Sequence, residues 1–306
     1  MASNSRKVLF ARINRRQDTE PLQVRPFSED LRHLADSHTM THTQRETPTH
    51  PQRRWFAADM KVVPSGDFIT GTMGYAEQQT HVHFDEDAWS WIKGETRLAD
   101  TGSDQTVVPF AVDLREHNRW VAFAPTTRLR ATQFRYGFQH ALNEAVLRSG
   151  LVPVEWEVDA VTSEGRIEAW LVEHPKVYFL RRTIKFSNPG KDLDDDRAEM
   201  RALAANRKTE EFAAPRGQQL RTDVPEFREK LSGTDKGNAD LILKARGPYG
   251  ETQQTFNSRK SSDETTVSDF GTDLELGMDL VLRALREYVA SKEGPEPTLM
   301  DGTTAE

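Results

Sequence analysis

Two short stretches concentrate positive charge where strands would present it side by side. They are RRTIK, with Arg181, Arg182 and Lys185, and LILKAR, with Lys244 and Arg246. Arginine and lysine donate charge-assisted hydrogen bonds to phosphate oxygens, so a row of them on one surface suits a polyanion. Side chains on a strand alternate between its two faces. Over Val177 to Phe186, one face is then Val177, Phe179, Arg181, Thr183 and Lys185. The other is Tyr178, Leu180, Arg182, Ile184 and Phe186. The second stretch sets Ile242, Lys244 and Arg246 against Leu241, Leu243 and Ala245. If the two strands are neighbours, Arg181, Lys185, Lys244 and Arg246 share one sheet face, and Arg259 and Lys260 extend it. With Arg182 beside them, these seven residues are the candidate nucleic-acid-binding set. The competing reading is that the cations only keep the uncovered side of a sheet wet.

Other residues bear on metal or enzymatic chemistry. Asp192, Asp194, Asp195 and Asp196 follow the turn Asn188-Pro189-Gly190. Clustered carboxylates bind hard cations, but acidic residues at a helix start also answer the helix dipole. His38 and His42 share a face if helical, and His81 and His83 share one if extended. Either pair could hold zinc with a third ligand, Asp85 or Asp87 being near the second, although such pairs are more often structural. Asp59 before Lys61, and Glu168 near Lys176, are incomplete versions of nuclease carboxylate–lysine patterns. Gly71 to Gly74 lacks the lysine and hydroxyl of a phosphate-binding loop. Trp89, Trp91 and Trp120 are candidates for base stacking or for the core. No serine–histidine–acid order and no nucleophile elbow is present. No catalytic set, cofactor or resident metal is therefore expected, and a metal-dependent nuclease is the third reading behind two binding functions.

Composition narrows the setting. The 306 residues are 36% hydrophobic and 29% charged, enough for two domains with cores. There is no cysteine, which excludes disulfides and thiolate chemistry and fits a reducing compartment. No apolar run reaches the roughly 18 residues of a membrane span, and Met1 to Arg16 lacks a signal-peptide core. A cytoplasmic protein without a membrane partner is expected. Net charge is −7, but unevenly spread. Lys176 to Lys260 holds 18 Lys and Arg against 13 Asp and Glu, whereas Ser261 to Glu306 holds 3 against 11. A basic surface beside an acidic tail follows.

The elements that must position these residues read as an α+β protein. Lys7 to Asn14, Trp55 to Val63, Asp67 to Gly74, Gln78 to Phe84, Thr106 to Asp113 and Arg119 to Ala124 are strand candidates. They give an antiparallel, sheet-rich domain over 1–125, with Phe27 to Asp36 as a short helix and His38 to Arg54 as loop. Residues 126–291 form a second α+β domain, a helix-covered sheet with the basic strand face. Its helices are Thr127 to Arg148, Glu164 to Glu173, Leu193 to Arg207, Pro225 to Leu231 and Thr272 to Ser291. Its strands are Val154 to Thr162, Val177 to Phe186, Ala239 to Arg246 and Glu251 to Ser258. Ala213 to Asn238 is otherwise irregular, and 292–306 is a disordered acidic tail.

The segment Glu168 to Ser258, with RRTIKFSNPGKD and LILKARGPYGETQQTFNS, resembles an uncharacterised family of bacterial and prophage proteins. FARIN and DLREHNRW near the N-terminus resemble it too. The order of strand, NP turn, glycine-ended hairpin and closing helix is also similar to RexA-type phage-exclusion proteins over the C-terminal half. That resemblance implies an antiviral defence role, nucleic-acid binding with little sequence preference (DNA ahead of RNA), a homodimer, and a partner protein. It carries over only basic positions of the matched strands: Arg181, Arg182, Lys185, Lys244 and Arg246. The alternative is a subunit for protein–protein interaction or oligomerisation in a defence or toxin–antitoxin type system, using the acidic tail and the last helix.

Overall fold

The computed structural model describes residues 5–16, 26–36, 40–42, 53–85, 90–98, 107–115, 118–150, 154–185, 193–246 and 252–293. It is an α+β protein built on two antiparallel sheets. The first has nine strands in the order β13-β1-β7-β6-β4-β3-β2, with β5 paired to β4 and β8 to β1. Its spine is β1 (Ser5–Arg16). The first half of β1 pairs with β13 (Glu264–Ser268), its second half with β8 (Glu155–Ala160), and its other edge with β7 (Trp120–Phe123). β6 (Val107–Asp113), β4 (Phe68–Asp85), β3 (Arg53–Val62) and β2 (Met40–His42) continue the sheet, and β5 (Ser90–Leu98) folds back along the far half of β4.

Helices cover this sheet on both sides, so its central strands are apolar on both faces. On one side α1 (Phe27–Asp36) and α2 (Ala131–Arg148) bury Phe27, Leu31, Leu34, Phe134 and Phe138 against Ile13, Trp55, Phe110 and Phe123. On the other, α6 (Leu274–Glu293) packs Val281, Leu285 and Val289 on Val8, Phe10, Ala111 and Trp120. The apolar stripe that marks α6 in the sequence is thus consumed by the core, which leaves that stripe unavailable to a partner. Trp120 lies in the same cluster.

The second sheet has four strands, β10-β9-β11-β12, from β9 (Lys176–Lys185), β10 (Arg207–Ala213), β11 (Ala239–Arg246) and β12 (Gln253–Asn257). Helices α3 (Glu164–Glu173) and α5 (Pro225–Glu229) cover one face, where Ile167, Leu171, Phe227 and Leu231 meet Val177, Leu180, Leu241, Leu243 and Phe256. Behind β9, α4 (Asp194–Ala202) adds Met200 beside Ile184. The opposite face contributes no side chain to these apolar clusters.

The division expected at residue 125 does not follow these layers. β8, β13, α2 and α6 all come later in the chain, yet they complete the first sheet and its two helical layers. β10 and β13 lie where the sequence predicts no strand, because RKTEEFA and ETTVS form edge strands without an apolar face. β4 unites two anticipated strands across Gly74, β5 lies where no strand is expected, and β2 lies within the expected loop His38 to Arg54.

Candidate nucleic-acid interface

Strand pairing decides which cations meet. Leu243 sits opposite Leu180 and Leu241 opposite Arg182 on the covered face; Lys244 sits opposite Phe179 and Ile242 opposite Arg181 on the open one. β11 alternates as the sequence predicts, with Ala239, Leu241, Leu243 and Ala245 buried and the residues between them partly or fully exposed. β9 departs from alternation once. Lys244 pairs with Phe179 but Ala245 pairs with Val177, so Tyr178 is an extra, bulged residue. Val177 therefore turns into the core, and Tyr178 joins Phe179 at a half-buried position instead of facing the helices. This corrects the expected faces of Val177 and Tyr178.

Three of the seven candidate cations meet on the open face beside these rings. The Lys244 ammonium lies 4.8 Å from the Phe179 ring centre and the Arg181 guanidinium 5.6 Å from it. The Arg246 guanidinium lies 5.5 Å from the Tyr178 ring. Lys176, not among the candidates, sits opposite Arg246 in the register and is exposed. Arg181 makes an exposed cross-strand ion pair with Glu211, an interaction worth about 0–1 kcal/mol. Lys244 and Arg246 have no carboxylate partner among the described residues.

Lys185 and Arg259 are drawn elsewhere. Lys185 is at the other end of the same strand face, but its ammonium is held by Asp159, by Glu157 at 3.2 Å and by Asp240 at 3.7 Å. Burial by itself would lower the Lys185 pKa; Asp159, Asp240 and Glu157 more than offset this and hold it above its ordinary value. Burial pushes the Asp159 carboxyl upward, against the pull of Lys185. Arg259 closes the group at 2.6 Å from Asp240, and its own carbonyl accepts from Arg135 at 2.7 Å. Asn14 on β1 donates to Asp159 at 2.8 Å and to the Gly237 carbonyl at 3.1 Å. The cluster is an ionic joint between β8 of the first sheet and β9 and β11 of the second, its charges spent internally. Lys260 is exposed on the 3-10 turn Ser258–Lys260 at this joint.

Arg182 lies on the covered face, only 2% exposed. It meets Asp196 at 3.2 Å and Glu210 at 3.7 Å and donates to Ser232 at 3.3 Å. Lys208 and Lys230 complete the network through Asp196, Glu199 and Glu210. Among the sequence candidates, Arg182 is thus a core residue and cannot reach a ligand on the open face. Asp196, considered as part of a cation-binding cluster, is instead the partner of Arg182 and Lys208. The Asn188 turn and Asp192 lie outside the described residues.

The remaining sequence candidates are placed as follows. Asp59 is on a bulge of β3 with φ of 52° and accepts from Thr72 at 2.9 Å, while Lys61 pairs with Glu275 at 3.1 Å. Glu168 pairs with Arg228. His38, Asp87 and Trp89 lie outside the described residues, as do the side chains of His42, His81, His83, Asp85 and Trp91. Among the described residues no three His, Asp or Glu side chains are arranged to hold a metal ion. Nor is any helix there long and apolar enough to cross a membrane.

No protein-family model and no curated protein sequence matches this chain. The site's chemistry rests on its own geometry. What sequence reading missed is the aromatic pair, because a bulge that shifts one residue leaves no mark in the residue pattern.

Proposed function

We propose that this protein binds nucleic acid without catalysing a reaction on it, through the open face of the second sheet, as a component of an anti-phage defence system that acts with a partner protein. The observation that carries the reading is the contrast in charge on that sheet. Arg182, Lys185 and Arg259 are neutralised by carboxylates, whereas Lys244 and Arg246 stand on an uncovered face with no carboxylate partner among the described residues. Arg181 beside them is tied only to exposed Glu211. Cations left this way suit phosphate oxygens. The defence setting rests on the resemblance of the strand, NP turn, hairpin and closing-helix order to phage-exclusion proteins, and DNA is the first ligand to test.

The experiment is retention of a labelled DNA at two salt concentrations. Binding should weaken steeply with salt. The triple variant Arg181→Ala, Lys244→Ala, Arg246→Ala should flatten the slope by about 0.9 for each phosphate it no longer neutralises. Unchanged mobility of the probe at low salt and high protein would sink the reading.

A second reading, a protein-interaction subunit, is favoured by a different feature. β10 ends the second sheet, and beside it lies a groove of about 370 Å³ lined by Leu180, Phe212, Pro215, Leu220, Val224 and Phe227. Phe212 is 42% exposed there. An edge strand beside an apolar groove accepts an extended segment of another chain. Light scattering that gives a strict monomer, with no protein co-purifying, removes this reading.

A further inference from the structure

The bulge at Tyr178 gives the open face a chemistry that cations alone do not require. Regular alternation would place one aromatic of the Tyr178–Phe179 pair on each side of β9. With the bulge, Val177 and Leu180 enter the core and both aromatic residues sit half-buried between them. Neither ring belongs to the apolar cluster beneath the sheet, so the core of this unit is built without them. Each ring instead has a cation over it, Lys244 and Arg181 at Phe179 and Arg246 at Tyr178, which an incoming base would displace toward its phosphates. A solvated sheet face needs the cations but gains nothing from two adjacent, incompletely covered rings.

We infer that this face takes single-stranded nucleic acid, with successive bases stacked on Tyr178 and Phe179 and the flanking phosphates on Arg181, Lys244 and Arg246. The inference rests on the nucleic-acid reading above and narrows it. In a duplex the base faces are already stacked on one another, and an α-helix or β-ribbon is needed to enter a groove. The face of four paired strands offers neither. Unpaired bases expose both faces, and stacking on an aromatic ring tolerates any sequence. Glu211, exposed beside Arg181 on β10, repels phosphates at that side. The path of the strand therefore runs over β9, β11 and β12, where Thr183 and Thr255 add hydroxyls on the same face.

The test compares fluorescence polarisation of a labelled oligothymidylate with that of its duplex of equal length, using the full chain. Single strand should bind about tenfold or more tightly than duplex. The double variant Tyr178→Leu, Phe179→Leu keeps apolar bulk at both positions; it should lose about tenfold or more on the single strand with its salt slope unchanged. Duplex bound as well as single strand, or a folded leucine variant bound as well as wild type, overturns the inference and leaves phosphate binding standing. Binding of neither form overturns both. The wild-type comparison decides alone if the variant fails to fold, as judged by its thermal melt.

Discussion

At the scale of single residues, burial sets the behaviour of His140. It lies on α2, half-buried, with its ring 4.2 Å from that of Tyr136. Burial lowers its pKa below the ordinary 6.5, and Glu144 only partly opposes this. The folded protein therefore resists a proton that the unfolded chain accepts. As pH falls through about 6.5, the unfolded state gains that proton first and stability declines. His140→Gln should shallow the fall of melting temperature between about pH 7 and pH 5.5, read by circular dichroism. A variant with the same slope as wild type would show that this ring is protonated equally in both states. Arg182 shows, in the same way, how little residue type conveys without its surroundings. Strand alternation already puts it on the apolar face with Leu180 and Ile184. Only the fold supplies Asp196 and Glu210, which make a buried guanidinium tolerable there.

At the scale of elements, α2 is fixed against β3 by an absent side chain. A Cβ at Gly137 would lie 2.2 Å from the Trp55 ring, which is buried under the helix. Gly137→Ala gains up to about 1 kcal/mol of helix propensity but forces that ring aside. A net loss of about 1–3 kcal/mol is expected in urea unfolding, and unaltered stability would mean that Trp55 moves freely. Elements with an apolar face were legible in the chain. α2 and α6 follow the spacing of Phe134, Phe138, Leu142 and of Met278, Val281, Leu285, and β11 follows Leu241, Leu243 and Ala245. Elements whose order comes from neighbours were not. β10 and β13 are polar edge strands held by backbone pairing to β9 and β1, and their residues carry no periodic signal. The candidate site shows the same divide. Lys244 and Arg246 were placed by alternation, and Tyr178 was misplaced because its bulge is fixed by the partner strand.

At the scale of the whole molecule, the two sheets are joined through Lys185 and its carboxylates. Lys185→Ala would leave Asp159, Glu157 and Asp240 facing one another with Arg259 and Arg135 as the cations nearby. Breaking one member of a buried ionic group costs about 3–5 kcal/mol, so a large drop in the urea midpoint is expected. Where the variant remains folded, its salt slope for nucleic acid should match wild type, since the ammonium is already engaged. A stable Lys185→Ala protein with a flattened salt slope would return this lysine to the binding surface.

The threading of β1 has a consequence for how the polypeptide is made. Phe10 pairs with Ala122, Ile13 with Val158 and Lys7 with Thr266, so β1 finds its neighbours far downstream in the chain. Its last hydrogen bonds cannot close until β13 has been made, and pairings so distant in sequence slow folding. During that delay the apolar middle of β1, Val8 to Ala11, is open to wrong pairing. Assistance from a chaperone, or a slow rate of translation, should therefore govern how much native protein a cell obtains.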